Sequence, residues 1–332
     1  MLLRSVAIIN SSGFEVKSQR VIRPIRKGYY VVQPESVGGD APKDFIRVYT
    51  YGECRKSSPS KWPAYISKVG HKWYPNESIT EHLLTRLGQE LGLNIPESEL
   101  RFVDNQIRFH SRYFLGKDEN LTHGAQIFAA YLEDDEFVEE VEAKGMAREF
   151  FTFEFVVEAV KSTFPADHIS IVSDFVRLLA FDAIVGNNDR HYFNWGVVVH
   201  ALDRSRPTFS PVYDTARALF WNSPDSKVEE ILADKFRLDA FLGKYIRQSK
   251  PKTGCKGVSA PNHFELMTHI MRNHQEYGSV LRDLLATDLL ESLDLLWKTE
   301  FEHLMSSSRK QLIRECLARR LFEYRKAIET SR

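Results

Sequence analysis

The chain has 332 residues, of which 43% are hydrophobic and 27% are charged, and its 45 basic residues balance its 45 acidic ones. This length and composition are typical of a globular protein large enough for two lobes, and the zero net charge excludes a strong bulk attraction to nucleic acid or membranes. The three cysteines are scattered, with no Cys-x-x-Cys or His-Cys cluster, which favours a reducing compartment and predicts neither a disulfide framework nor a zinc site.

The amino-terminal third is predicted to consist mostly of strands. Residues 1–9 are too few for a signal peptide and are interrupted by Arg4, and no apolar run approaches a membrane span, so we expect a cytoplasmic protein without membrane contacts. Residues 36–43 contain two adjacent glycines, Gly38 and Gly39, which allow backbone amides to turn toward an anion such as phosphate. An ordinary surface turn would have the same composition.

A predicted strand and helix then place a lysine and a glutamate close together. Residues 64–69 alternate as a strand does, and Lys68 is the only basic residue among them. Ser78 is a plausible N-cap for a helix over residues 79–91, whose apolar residues recur every three or four positions. A kinase needs a strand lysine on the nucleotide phosphates and a helix glutamate that holds it. We therefore predict that Lys68 pairs with Glu81, although each alone would be an ordinary surface charge.

The small lobe is predicted to end in a strand and hinge over residues 107–115. Backbone groups are expected to hold adenine at this hinge, with Arg112 and Phe114 as neighbouring nucleotide contacts. Residues 249–258 carry three lysines and are predicted to form a mobile surface loop. Helical periodicity is predicted in three stretches, residues 150–163, 171–184 and 265 to the end.

The segment 181–196 changes abruptly from apolar to polar and back, which predicts a helix, a loop and a strand. Within it, Asp189 and Asn194 have the Asp-x-x-x-x-Asn spacing of a kinase catalytic loop. Residues 209–214 are predicted to be a short strand that ends in Asp214, a second acid that could chelate magnesium beside this loop. Asp214 is followed by Thr-Ala-Arg rather than Phe-Gly. The Asp189–Asn194 spacing alone is equally consistent with residues that cap turns.

Three segments of this region are more specific than the spacing alone: Gly186-Asn-Asn-Asp-Arg-His191, Asn194-Trp-Gly196 and Pro211-Val-Tyr-Asp214. Together they resemble the HipA-like kinase family, whose catalytic loop reads Gly-Asn-x-Asp-x-His-x-x-Asn and whose metal-binding acid lies in Pro-x-Tyr-Asp. The resemblance extends from about residue 36 to residue 222. It implies an α+β, bilobed protein-kinase-like fold, with a small β-rich lobe containing one helix at 1–115 and a larger helical lobe at 116–332. Because full-length relatives carry a larger amino-terminal subdomain, we expect a compact member of the family.

The resemblance implies a serine/threonine protein kinase that uses ATP and magnesium. Its site would comprise a phosphate-contacting lysine, the glutamate that orients it, a catalytic base and two magnesium ligands: Lys68, Glu81, Asp189, Asn194 and Asp214. Gly38, Gly39 and Lys43 would bind the nucleotide phosphates. Ser36 heads the glycine loop and would be autophosphorylated, after which the loop would be drawn toward basic groups in the cleft such as Arg190.

Relatives act as toxins paired with antitoxin proteins, and others act on host proteins as secreted effectors. The resemblance therefore implies an antitoxin partner and a protein substrate, such as an aminoacyl-tRNA synthetase or another translation protein, and it leaves secretion open. Three other functions stay open: a small-molecule kinase on the same fold, a catalytically silent interaction module, and a non-enzymatic member of a DNA-bound toxin–antitoxin complex. The intact set of site residues argues against the second, and the balanced charge argues against direct contact with nucleic acid.

Overall fold

The structure is a computed structural model and describes residues 22–34, 43–70, 76–103, 106–202, 206–258 and 260–329. Within these residues the amino-terminal part forms a five-stranded sheet and one α-helix, and a 3₁₀ turn at Pro59–Lys61 lies in one of the connections. Its elements are β1 Tyr30–Val32, β2 Lys43–Val48, β3 Ala64–Val69, α1 Asn76–Glu90, β4 Ser98–Val103 and β5 Gln106–Arg112.

The neighbouring strands of this sheet are antiparallel and follow the order β1-β2-β3-β5-β4. The central strand β3 has the bounds that the sequence predicted. It pairs with β2 so that Lys43 lies directly opposite Lys68. Residues that oppose each other across neighbouring strands project to the same side, so these two lysines share one face of the sheet. The strand predicted over 107–115 ends earlier, at Arg112.

Helix α1 buries the apolar face that its spacing predicted. Leu83, Leu84 and Leu87 are fully enclosed, and they belong to the same hydrophobic core as the helices that follow. The prediction that Ser78 caps this helix is wrong, because α1 begins at Asn76 and Ser78 lies inside its first turn. Both residues are buried, so tertiary packing extends the helix beyond the first good capping residue.

The carboxy-terminal part is mostly helical and also contains three short strands among the described residues. Its elements are β6 Glu119–His123, α2 Gly124–Leu132, α3 Phe137–Ala143, α4 Ala147–Phe150, α5 Phe153–Thr163, α6 His168–Val185, β7 Gly196–His200, β8 Thr208–Phe209, α7 Asp225–Leu232, α8 Lys235–Gln248, α9 His263–Asn273, α10 Gly278–Asp283, α11 Leu289–Thr299 and α12 Ser307–Glu329, with a 3₁₀ turn at Gln275–Tyr277. The predicted α+β arrangement, a β-rich lobe with one helix followed by a larger helical lobe, is confirmed.

The predicted helix–loop–strand over 181–196 is present and is bounded by two glycines. Gly186 follows α6 with a φ of 79°, a left-handed conformation that glycine adopts without steric cost, and the chain turns sharply there. Gly196 begins β7, which pairs with β6 on one side and β8 on the other. A Cβ added at Gly196 would lie 2.4 Å from the Thr122 carbonyl oxygen, so only glycine permits this close approach to β6. The loop is thus held at both ends by rigid elements.

Residues 209–214 form less strand than predicted. β8 ends at Phe209, because Pro211 has no N–H donor with which to continue the ladder. Beyond it, the Val212 N–H donates to the Asn94 carbonyl at 2.7 Å. Asn94 follows α1, so this hydrogen bond brings Asp214 to the cleft between the two lobes.

Residues 249–258 are packed against the helical lobe, so the prediction of a mobile surface loop is wrong. Cys255 is buried, and a Cβ added at Gly254 would lie 1.9 Å from the Arg148 carbonyl oxygen. Ser249 Oγ donates to Asn188 Oδ1 at 2.7 Å. These contacts place the segment beneath the loop that follows α6.

The main hydrophobic core runs through the helical lobe and includes α1, whereas a second, smaller cluster lies in the five-stranded sheet. Among the described residues, none of the helices combines the length and apolar character that crossing a bilayer requires. The predicted lobe boundary at residue 115 stays a prediction.

Candidate active site

Lys68 is the centre of an ionic cluster between the two lobes. Its Nζ lies 2.6 Å from Glu81 Oε1 and 2.5 Å from Asp214 Oδ1. Lys43 Nζ contacts the second oxygen of Asp214 at 3.2 Å. These four residues, which we call the Lys68 cluster, bring two cations and two carboxylates within hydrogen-bond distance of one another.

Four separate segments supply the Lys68 cluster, which explains why it needs the whole fold. Lys68 lies on β3 and Glu81 on α1, while Asp214 follows β8. Lys43 is the first residue of β2, although the sequence suggested that it ends the glycine loop. Because β2 and β3 place both lysines on one face of the sheet, their ammonium groups converge on Asp214.

The opposite charges of the Lys68 cluster offset the effect of burial on the pKa values of Lys68 and Asp214. Burial alone would lower the pKa of Lys68, but Asp214 and Glu81 outweigh it and the pKa is raised. Burial alone would raise the pKa of Asp214, but Lys68 and Lys43 hold it below its usual range. The pKa of Glu81 is raised, first by its own burial and only partly offset by Lys68. At neutral pH the cluster therefore presents a charged lysine and a charged Asp214.

A tight turn directs Asp214 into the cleft. Asp214 has a φ of 54°, in the left-handed region that aspartate adopts more readily than most non-glycine residues. The preceding residue, Tyr213, is held on both sides: its carbonyl accepts from Arg190 at 2.6 Å and its hydroxyl donates to the Phe193 carbonyl at 3.2 Å. The position of Asp214 is thus fixed by contacts with the loop that contains Asp189.

The suggestion that Arg190 attracts a phosphorylated loop is wrong. Its side chain is 1% exposed, and its guanidinium donates to both carboxylate oxygens of Asp182, at 2.9 and 3.2 Å. It also donates to the carbonyls of Asn194 and Tyr213, at 2.9 and 2.6 Å. Arg190 therefore joins α6, the loop and the Asp214 segment, and it has no surface to offer a phosphate.

Hydrogen bonds within the loop orient both of its predicted functional residues. Asn187 Oδ1 accepts from the Asp189 N–H at 3.1 Å, while its amide nitrogen donates to Asp182 at 2.9 Å. The side-chain nitrogen of Asn194 donates to the Asp189 carbonyl at 2.9 Å. The amide oxygen of Asn194 is consequently directed away from that carbonyl and is the end that a ligand can use.

Sequence reasoning missed Arg217 and Asp182. Arg217 Nη1 lies 3.3 Å from Asp189 Oδ2, so it holds the carboxylate predicted to be the catalytic base. The departure from Phe-Gly after Asp214 was the signal that could have drawn attention to Arg217. Asp182 lies within the apolar sequence of α6, and a buried acid in such a helix needs a cation such as Arg190.

A cavity of about 560 Å³ lies between the lobes and contains both groups of predicted residues. Lys43, Lys68, Glu81, Asp189, Asn194 and Asp214 all line it. Arg112 and Phe114 line it as well, and both already contact other side chains. The Arg112 guanidinium donates to the Tyr65 hydroxyl at 3.2 Å, and Phe114 stacks on Tyr213 with ring centroids 6.0 Å apart. The cavity has the size of a small-molecule site, and both apolar and charged side chains line it.

Three other predicted residues, Ser36, Gly38 and Gly39, lie outside the described residues. Their predicted roles, autophosphorylation and phosphate binding, stay predictions, as do the catalytic and metal-binding roles of the residues that line the cavity.

The residues beside the cavity fit a magnesium ion. Magnesium prefers oxygen ligands, usually one or two carboxylates together with water and phosphate oxygens. Asp214 supplies a charged carboxylate whose side chain is 29% exposed on the cavity, and Asn194 supplies the amide oxygen described above. Lys43 and Lys68 place positive charge where the phosphates of a nucleotide would accompany such an ion.

Comparisons with known proteins identify the family and the fold of the chain. The HipA-like C-terminal domain family model matches residues 35–276. Among solved structures, the Helicobacter pylori proinflammatory kinase CtkA is similar, with a TM-score of 0.71 and 17% identity over 91% of this chain and 96% of that chain. Shewanella oneidensis HipA, in a complex with HipB and operator DNA, matches with a TM-score of 0.47 and 12% identity over 88% of this chain and 65% of that chain. A search of curated proteins gave no match. The likeness to CtkA shows a kinase fold.

Proposed function

Because the chain belongs to the HipA-like C-terminal domain family, we propose that it is a protein kinase that transfers the γ-phosphoryl group of ATP to a serine or threonine hydroxyl in the presence of magnesium. The observation that supports this most is the Lys68 cluster, in which Lys68 lies 2.6 Å from Glu81 and 2.5 Å from Asp214. Asp189 and Asn194 line the same cavity, so phosphate-binding and acceptor-activating groups share one space.

The two lysines of the cluster are suited to bind the nucleotide phosphates. Glu81 is buried on α1 and holds Lys68 on the cavity side of the sheet. Lys43 supplies a second ammonium group, which shares Asp214 with Lys68. Phosphate oxygens are strong acceptors for ammonium donors, so a bound nucleotide would compete with Asp214 for both lysines.

Asp189 is suited to orient the acceptor hydroxyl and receive its proton. In the proposed reaction the hydroxyl oxygen forms a bond to the γ-phosphorus, the bond from that phosphorus to the bridging oxygen breaks, and ADP leaves. Arg217 and Asn187 hold Asp189 in place from its side chain and its backbone. Arg217 also places a positive charge beside the transferred group, which would stabilise charge that develops on the phosphoryl oxygens.

Asn194 and Asp214 would hold magnesium, which when bound neutralises the phosphate charge and positions the β- and γ-phosphates. The chain's own residues orient these two side chains. The Asn194 amide is fixed by the Asp189 carbonyl, and the turn at Asp214 is fixed through Arg190 and Tyr213.

The nature of the acceptor and of any partner stays a prediction. A small-molecule kinase on the same fold would use the same cluster, so only the labelled product distinguishes it from a protein kinase. An aminoacyl-tRNA synthetase or other translation protein as substrate, an antitoxin as partner and autophosphorylation of Ser36 are expectations carried by the family resemblance.

Incubation with γ-labelled ATP and a cell lysate tests the proposal. We expect label in protein-bound phosphoserine or phosphothreonine with the parent, and a loss of about 10²–10⁴-fold in Asp189→Asn, the range for removal of a general base. Asp174→Asn is the matched control, because Asp174 is a partly exposed acid on α6 that pairs with Arg177 away from the cavity.

Label in a metabolite and none in protein would identify a small-molecule kinase. Equal transfer by the parent and a folded Asp189→Asn variant would place the catalytic loop elsewhere. No magnesium-dependent transfer to any acceptor would leave the fold as a binding module and overturn the proposal.

A further inference from the structure

A second cluster of ligand-type side chains lies in the helical lobe, away from the residues that line the cavity. Glu154 is in the first turn of α5, His269 is on α9, and His274 directly follows α9. Their ligand atoms all lie within 4.8 Å of one another. The three side chains are 14–21% exposed, so they are largely withdrawn from water but still accessible to an ion.

Both imidazoles direct Nε2 toward the same carboxylate oxygen. His269 Nε2 lies 2.5 Å from Glu154 Oε1, which is a short hydrogen bond, and His274 Nε2 lies 3.6 Å from the same atom. The second distance is too long for a hydrogen bond. The carboxylate oxygen therefore accepts a hydrogen bond from one imidazole and makes a longer ionic contact with the other.

Neighbouring groups contact all three side chains. Asn273 Nδ2 lies 3.2 Å from His269 Nδ1, so His269 Nε2 carries the proton that Glu154 accepts, and zinc must displace that proton while the Asn273 amide turns its oxygen to Nδ1. The Lys256 N–H donates to Glu154 Oε2 at 3.0 Å, which turns Oε1 toward the imidazoles. Glu276 Oε1 lies 3.7 Å from His274 Nδ1. At 3.7 Å this contact is longer than a hydrogen bond. A carboxylate that closes to hydrogen-bond distance on Nδ1 when zinc binds would favour the tautomer whose Nε2 lone pair is available to the metal.

We propose that Glu154, His269 and His274 form a zinc site, with a fourth position left to water. Two imidazole nitrogens and one carboxylate oxygen suit zinc, whereas magnesium and calcium prefer oxygen ligands alone. Zinc bonds of about 2.0–2.1 Å in a tetrahedron place ligand atoms about 3.3 Å apart. The 3.6 Å separation is close to that value, and the Glu154–His269 pair must open by less than about 1 Å.

Zinc at this position would connect three parts of the helical lobe. Glu154 belongs to α5, His269 to α9, His274 to the position after α9, and Lys256 to the packed segment 249–258. The same segment reaches the catalytic loop through the Ser249–Asn188 hydrogen bond. Zinc would therefore stabilise the support beneath the proposed active site without lining its cavity.

The test begins with the parent protein, treated with a chelator and dialysed, then titrated calorimetrically with zinc chloride. We expect one equivalent to bind and excess magnesium not to compete. Glu154→Gln, His269→Gln and His274→Gln should each weaken zinc binding by more than about 100-fold, and Glu276→Gln by about 10-fold, since second-shell losses cost 10–100-fold.

His303→Gln is the matched control. His303 Nε2 lies 3.7 Å from a glutamate oxygen, as in the proposed site, but its side chain is 66% exposed and it should leave zinc binding unchanged. Cobalt chloride provides a measurement on the parent alone, in case a variant does not fold. An intense visible absorption of four-coordinate cobalt, removed by one equivalent of zinc, supports the site.

Absence of stoichiometric zinc binding by the parent would overturn the proposal. So would an equal loss in His303→Gln and His274→Gln, which would indicate adventitious binding to surface histidines, or unchanged affinity in all three ligand variants.

Discussion

Two ionic clusters adjoin the loop between α6 and β7, and they differ in what surrounds their charges. In the first, Arg190 and Asp182 are each 1% exposed, and the remaining Arg190 contacts are backbone carbonyls of the chain itself. In the second, Lys68 is buried but its partner Asp214 has a side chain 29% exposed on a cavity. The Arg190–Asp182 ion pair is thus enclosed by the chain itself, whereas the Lys68–Asp214 ion pair is open to a ligand in the cavity.

Exposure to the cavity, and not the pairing of opposite charges as such, distinguishes the two clusters. Burial alone would lower the pKa of Arg190 and of Lys68, and carboxylate partners raise both. Only the Lys68 cluster faces a space in which phosphate oxygens and a metal ion can replace the existing partners. We therefore assign a structural role to the Arg190–Asp182 pair, and we propose that the Lys68 cluster binds a nucleotide.

The largest expected effect is on stability and comes from breaking the Arg190–Asp182 pair. Arg190→Ala leaves Asp182 buried without its cation, so the free energy of unfolding should fall by about 3–5 kcal/mol. Arg314→Ala is the control, because Arg314 pairs with Asp294 at the surface and such pairs contribute about 0–1 kcal/mol. Denaturant unfolding measures both. Equal losses in the two variants would contradict the structural role of Arg190.

The next effect is on catalysis and comes from the Lys68 cluster. Lys68→Met removes the ammonium group expected on the phosphates, so the rate of phosphoryl transfer should fall by about 10²–10³-fold. The fold should persist, because Glu81 can bind a proton and Asp214 retains Lys43. Lys61→Met, in the exposed 3₁₀ turn of the small lobe, should leave the rate unchanged. A rate unaffected by Lys68→Met would remove the cluster from the mechanism.

The smallest effect is the dependence of stability on pH. Burial would raise the pKa of Asp214, but Lys68 and Lys43 hold it below its usual range. A carboxylate with a depressed folded-state pKa stabilises the fold above its unfolded pKa, near 4, and this contribution is lost as the pH falls. The difference in unfolding free energy between the parent and Asp214→Asn should therefore shrink below about pH 4. A difference that does not change from pH 7 to pH 3 would argue against the Asp214–lysine contacts.

Features set by local spacing could be predicted from the sequence. The period of the apolar residues predicted α1, and the alternation in residues 64–69 predicted β3 with its correct bounds. Lys68 and Glu81 are 13 residues apart, and a strand followed by a helix brings such residues together. Asp189 and Asn194 lie on one short loop, so their relation is also local.

Features that depend on distant contacts could not be predicted. Lys43 and Asp214 are 171 residues apart, and they become neighbours only because β2 pairs with β3 while the Arg190 and Asn94 contacts hold the Asp214 segment at the cleft. Packing of the segment 249–258 depends on the Arg148 backbone, which its lysines do not reveal. The proposed zinc ligands Glu154 and His269 are 115 residues apart, so a search for closely spaced cysteines and histidines misses them.

A measurement of magnesium-dependent ATP binding tests most directly whether the Lys68 cluster binds a nucleotide or has only a structural role. Calorimetric titration of the parent with ATP should give affinity at least about tenfold higher with magnesium than without it, because Asp214 is expected to be the main protein ligand of the ion. Asp214→Ala should lose this magnesium dependence, while Asp283→Ala, an exposed acid at the end of α10, should keep it. Equal affinity for parent and Asp214→Ala, with and without magnesium, would contradict the assignment of the Lys68 cluster as a nucleotide site.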